Sequence, residues 1–111
     1  MKKELGKIES IDIGYGGYDG MFGLNVSLSG KGWGVGDFIG TWSVEIEVND
    51  RTKWTEADRV KLFADVMTRV NILLRDAKKK SLRHLVGVPI EAIFNEDRTL
   101  SSWRVLTEVL L

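Results

Sequence analysis

Cysteine is absent from this 111-residue chain, and histidine and proline occur once each. Without cysteine there is no disulfide framework, no zinc ribbon, no thiol nucleophile and no iron–sulfur site. A single imidazole, His84, excludes any site that needs two. No apolar run approaches the length of a bilayer span, and the opening MKKELGKIES lacks the apolar segment of a secretory signal, so a cytosolic protein is expected. An excess of either charge is missing too, since sixteen basic side chains face sixteen acidic ones. A generic DNA binder is normally basic overall. What remains is one globular domain of ordinary composition, 43% hydrophobic and 29% charged.

The neutral total hides an asymmetry. Residues 1–50 hold four lysines against eight acids, and residues 51–111 hold twelve basic residues against eight acids. The second half can therefore carry a local anion site. Glycine is equally uneven, with eleven of twelve inside the first forty residues. Strands separated by glycine-rich turns are expected there. Alternation predicts strands over about 7–13, 21–29 and 39–48, the last with Trp42, Val44, Ile46 and Val48 inward. The stretches 14–20 and 30–37 read as glycine loops.

Beyond Asn49-Asp50 the period changes. Thr55-Glu56-Ala57-Asp58 is a capping-box variant. Val60, Phe63, Met67, Val70 and Leu74 then recur at helical spacing, with Val66, Leu73 and Ala77 beside them, which predicts a helix over about 55–78. Lys78–Lys80 falls at its end, where the helix dipole favours cations. Period two returns in a hairpin over about 88–106. The predicted class is α+β, an antiparallel sheet of about five strands with one long amphipathic helix packed on it. The tail 107–111 is apolar, and docking on the core or on a second subunit is expected.

The glycine loops invite a phosphate-binding reading, because consecutive amides can cradle an anion. The patterns fit poorly. Gly30-Lys31 is followed by Gly32 rather than the Ser or Thr of a P-loop, and strands rather than a helix follow the glycines. Tight turns are the structural alternative. If an anion is held there, Lys31 supplies the charge, and Trp33, Tyr15 and Tyr18 supply stacking surfaces. Of the four tryptophans, Trp42 and Trp103 are in phase with apolar neighbours and read as core, and Trp54 reads as closing the helix start onto the sheet. Trp33, among glycines, is the one suited to stack on a base. Arg104 lies in a nearly apolar run and needs a partner, either a carboxylate such as Glu108 or a phosphate. Ser101 adds a hydroxyl nearby only if a bulge turns it to the same face. Lys78–Lys80 with Arg75 and Arg83 reads as a solvated helix end. No nucleophile–base order, metal spacing or carboxylate dyad stands out, so no enzyme, no metal and no cofactor are expected.

Three stretches, GKIESIDIGYGGYDGMFGL, GKGWGVGDFIGTW and LSSWRVLTEVL, resemble a family of small proteins encoded by bacteriophages and prophages. The resemblance implies a phage origin and action in the bacterial host cytoplasm; it brings no catalytic residues. The layout of N-terminal strands, long helix and C-terminal hairpin is also similar to that of the phage sponge proteins called Thoeris anti-defence proteins. These bind cyclic ADP-ribose isomers or cyclic oligonucleotides as homo-oligomers, without catalysis. That likeness implies a nucleotide-type ligand and a homo-oligomer joined through the apolar tail. Arg104, Trp33, Tyr18, Asn95, Arg98 and Ser101 are of the kinds such a site needs, with Lys31 for additional charge. Two other readings stand beside it. A protein-binding inhibitor of a defence nuclease, similar to an anti-CRISPR, would use Glu45 and Glu47 to mimic nucleic acid. An accessory protein of phage replication would bind single-stranded nucleic acid through Lys78–Lys80 and Arg83.

Overall fold

The structure is a computed structural model that describes residues 1–17 and 20–109. Its five strands are β1 (Lys2–Tyr15), β2 (Met21–Gly30), β3 (Trp33–Trp42), β4 (Pro89–Phe94) and β5 (Leu100–Val105), with one helix, α1 (Glu56–Ala77), between β3 and β4. Every strand pairing is antiparallel, in the order β3-β2-β1-β4-β5. The α+β class expected from the sequence is the one observed. No helix among the described residues is long and apolar enough to cross a membrane.

The long first strand organises the sheet. Lys2–Lys7 pair with β4, whereas Gly6–Tyr15 pair with β2, and an irregularity between Ile8 and Ser10 shifts the register. Such a bulge bends a strand and increases its twist. Residues paired across neighbouring strands share a face, so Ile8, Leu24, Val26, Leu28, Ile90, Ala92, Trp103 and Val105 form one buried apolar surface. Val66, Val70, Leu73 and Ala77 of α1 pack on it.

Trp103 on one edge strand donates its indole N–H to the Asp37 carboxylate on the other, at 2.8 Å. Four strand spacings would separate these edges by about 19 Å in a flat sheet, more than the two side chains can span. The sheet is therefore curled into a trough, with this bond across its concave side. Helix α1 contacts β2, β3 and β5 and lies along the opening. Its Arg69 guanidinium sits 4.8 Å from the centroid of the Trp103 ring.

The third strand differs from the sequence expectation. It runs over Trp33–Trp42 rather than 39–48, and the supposed glycine loop is mostly strand. Trp33, Val35, Asp37 and Ile39 face the trough, while Gly34 and Gly36 lie on the other face. The alternation was masked because glycine is disfavoured in strands and contributes no side chain to the pattern. The turn itself is confined to Lys31 and Gly32, the latter at φ +79°. The strand ends at Trp42 because the carbonyls of Ser43 and Ile46 accept hydrogen bonds from the buried Arg59 guanidinium instead of joining a ladder. Val44, expected inward, is 79% exposed.

The helix matches the expected span, and its capping box forms: the Thr55 hydroxyl accepts from the Asp58 amide and the Asp58 carboxylate from the Thr55 amide. Its buried face is rotated from the predicted one. Val60 and Met67 are exposed, while Arg59 is buried and lies over Trp54, which stacks on Trp42. Of the apolar tail, Val109 is exposed in a 3₁₀ turn over Thr107–Val109. Leu110 and Leu111, on which the expected docking of the tail rests, lie outside the described residues.

Gly30 and Gly6 carry a close approach. A Cβ on either would fall onto the Trp33 indole. Gly30→Val should cost at least about 2 kcal/mol through overpacking, and thermal melts should drop by roughly ten degrees. A melting point equal to that of the parent chain would contradict the close packing.

Candidate functional site

At the end of the trough where β1 begins, a groove of about 710 Å³ opens between the β2–β3 turn and the β4–β5 turn. Trp33, Gly30, Gly6, Ile90 and Val105 form a single cross-strand row on the concave face. Because two consecutive members of the row lack side chains, the Trp33 indole lies over them and across β2 and β1. It meets Phe94 of β4 edge-on, with centroids 5.2 Å apart and planes at 79°. These two rings make an aromatic floor. The Trp33 Nε1 is buried with no hydrogen-bond partner, and a Cβ on Gly30 would meet it.

Charged and amide side chains surround that floor. Lys31 comes from the β2–β3 turn, Asn95 and Arg98 from the β4–β5 turn, and Lys2 from the start of β1. Two acids, Glu4 and Glu96, also line the groove. Lys2 and Glu4 pair at 3.0 Å. Lys31 and Arg98 take part in none of the ion pairs among the described residues. Two cations without an ion-pair partner thus flank an aromatic floor against one such acid, Glu96, a local positive excess that attracts an anion. The groove carries neither histidine nor cysteine, and the described residues hold no group of three or more metal-ligating side chains.

The β4–β5 turn is tightly cross-linked. The Arg98 amide donates to the Asn95 carbonyl at 2.9 Å, and the Asn95 amide donates to the Thr99 carbonyl at 2.8 Å. The Asp97 carboxylate accepts from both the hydroxyl and the amide of Thr99, at 2.6 and 3.0 Å. These bonds, the hydroxyl's first, hold the Asp97 carboxyl below the usual carboxylate range.

Four of the seven residues singled out from the sequence, Lys31, Trp33, Asn95 and Arg98, meet in the groove. Arg104 and Ser101 do not line it. Arg104 projects from the opposite face of β5 and pairs with Glu108 at 3.1 Å and Glu91 at 3.3 Å. Its two carboxylates, Glu108 foremost, raise its pKa, and Arg104 in turn lowers that of Glu108. The carboxylate alternative for Arg104 is the one the fold realises. Ser101 is exposed on β5. Tyr18 lies outside the described residues, and Tyr15 packs edge-on against Phe22. Lys78–Lys80 and Arg83 are not groove residues; Lys78 caps the helix in the left-handed conformation. Sequence reasoning missed Phe94, Lys2 and the two glycines under the indole. Phe94 carried a signal as an inward residue of the hairpin, whereas Gly6 precedes the strand as it was predicted.

No protein-family model, curated protein or solved structure matches this chain.

Two outcomes follow from this geometry. Arg104→Ala should leave binding in the groove unchanged and lower stability slightly; titration of the variant with a groove ligand checks this, and lost affinity would place Arg104 at the site after all. For Asp97, a folded-state pKa below the unfolded one means stabilisation that is present above the ordinary carboxylate range and lost as pH falls through the folded value. Asp97→Ala should therefore melt below the parent chain at neutral pH, with the gap closing on acidification. A gap independent of pH would refute that role.

Proposed function

We propose that the groove binds a nucleotide-type ligand and holds it without chemical change. A base lies against Trp33 and Phe94, and phosphate is drawn to Lys31 and Arg98. The observation that carries this reading is the convergence of Lys31, Trp33, Asn95 and Arg98, from two turns more than sixty residues apart, on one groove. The volume suits a ligand of nucleotide size or larger. Stacking on an aromatic side chain contributes about 1–3 kcal/mol per base, and a charge-assisted hydrogen bond to phosphate about 1.5–3 kcal/mol. One of each sums to about 2.5–6 kcal/mol, short of the roughly 8 kcal/mol of micromolar binding, so tight binding requires a base together with more than one phosphate contact. In the context implied by the phage-protein resemblance, binding without turnover would act as sequestration, removing a cyclic ADP-ribose isomer or cyclic oligonucleotide immune signal in the bacterial host cytoplasm.

A thermal-shift panel of ADP-ribose, its cyclic isomers, cyclic di- and trinucleotides and a short single-stranded DNA tests the reading. A ligand at a hundred times its dissociation constant stabilises the fold by about 2.7 kcal/mol, a rise of roughly ten degrees in a domain of this size. Lys31→Ala should reduce that affinity by about tenfold or more. A shift with DNA alone, steeply weakened by salt, would favour the single-strand reading. A panel with no shift would reject a nucleotide ligand and leave the protein-inhibitor reading.

A further inference from the structure

We infer that Arg98 is the phosphate-selecting residue of the groove, and that the β4–β5 turn holds it there at the expense of stability; this rests on the nucleotide reading above. Arg98 has φ +71°, in the left-handed region that favours glycine and is disfavoured for a residue with a Cβ. Hairpin turns with a left-handed residue at this place usually put glycine there. The conformation is imposed from both sides. Arg98 N–H is tied to the Asn95 carbonyl, and the next residue, Thr99, is fixed by Asp97 and by the Asn95 amide and side chain. The position could be relaxed by losing the side chain, yet it carries the longest cation available, and that cation has no carboxylate partner among the described ion pairs. Asp97 in the same turn is already engaged with Thr99 rather than with Arg98.

Its placement gives the arginine a task. The turn carries Arg98 to the rim beside Phe94 and Asn95, while Lys31 stands on the other turn, past Trp33. A guanidinium fixed at its backbone presents paired donors in a planar fork, which match two oxygens of one phosphate. Lys31 is a point charge on a mobile stem and adds attraction without that geometry. Arg98 therefore decides between a phosphorylated ligand and its bare nucleoside, and Lys31 strengthens both phosphates of a longer one.

The test uses the full chain with ADP-ribose and adenosine as probes, read by tryptophan fluorescence titration and thermal melts. Arg98→Gly should raise the melting temperature of the free protein by roughly four degrees or more, weaken ADP-ribose at least tenfold and leave the weak adenosine response unchanged. Arg98→Lys should melt like the parent chain and retain part of the ADP-ribose affinity. ADP-ribose bound equally by parent and Arg98→Gly would overturn the inference while the nucleotide reading stands. Equal losses for both probes would make Arg98 a support of the groove rather than its selector, and an Arg98→Gly protein no more stable than the parent would remove the stability cost. A parent chain that binds neither probe and none of the cyclic nucleotides of the panel above would overturn the inference together with the reading beneath it.

Discussion

An indole laid across two side-chain-free positions is the constraint on which the groove depends. Trp33 occupies the volume that side chains at Gly30 and Gly6 would fill, and its far edge reaches toward Phe94. Any larger residue at either glycine forces the ring off the sheet, which removes the floor and leaves Lys31 and Arg98 flanking nothing. The glycines thus act as a recess rather than as flexible points. Their value lies in close approach, which is a packing property, and it ties the fold of the first forty residues directly to the site.

The recess also needs a curved sheet to become a groove. The Trp103–Asp37 bond between the two edge strands sets that curvature, and Arg69 of the helix covers the indole that makes it. At the far end of the trough the buried Arg59 holds the chain leaving β3 through the Ser43 and Ile46 carbonyls, and ties it to the first turn of α1 through Glu56. Three side chains reaching across the sheet thus tie the two edge strands and the helix together, beside the β1 bulge and the packed apolar face of α1. The electrostatic result is local: a chain of zero net charge presents at one rim two cations, Lys31 and Arg98, that join none of the ion pairs among the described residues, against one such acid, Glu96.

Much of this was legible in the sequence, and what was not has identifiable causes. The helix was readable because Thr55 and Asp58 form a cap with a known spacing, and the C-terminal hairpin because its period is unbroken. The third strand was displaced by six residues because glycine at 34 and 36 erased the alternation on one face, while Val44 and Ile46 mimicked its continuation. The helix face was misjudged because Arg59 is buried by carbonyls and an aromatic ring, partners that a hydrophobic pattern cannot represent. Within the site, Lys31, Trp33, Asn95 and Arg98 were recognisable by residue type, but their meeting depends on pairing β1 with both β2 and β4. Arg104 misled because its neighbours in sequence are apolar, while its neighbours across the strand and one turn on, Glu91 and Glu108, are not. Strand pairing is a non-local property, and a single sequence states it poorly.

The most direct test of the central claim is a nitrogen–proton correlation spectrum of the indole region during titration with ADP-ribose and cyclic di-AMP. The chain gives four indole signals, one for each tryptophan. Binding on the glycine-seated floor predicts that the Trp33 signal shifts together with the Lys31 and Arg98 backbone amides, while those of Trp42, Trp54 and Trp103 hold still. Shifts centred on Trp42 and Trp54, or a spectrum indifferent to both ligands, would contradict it.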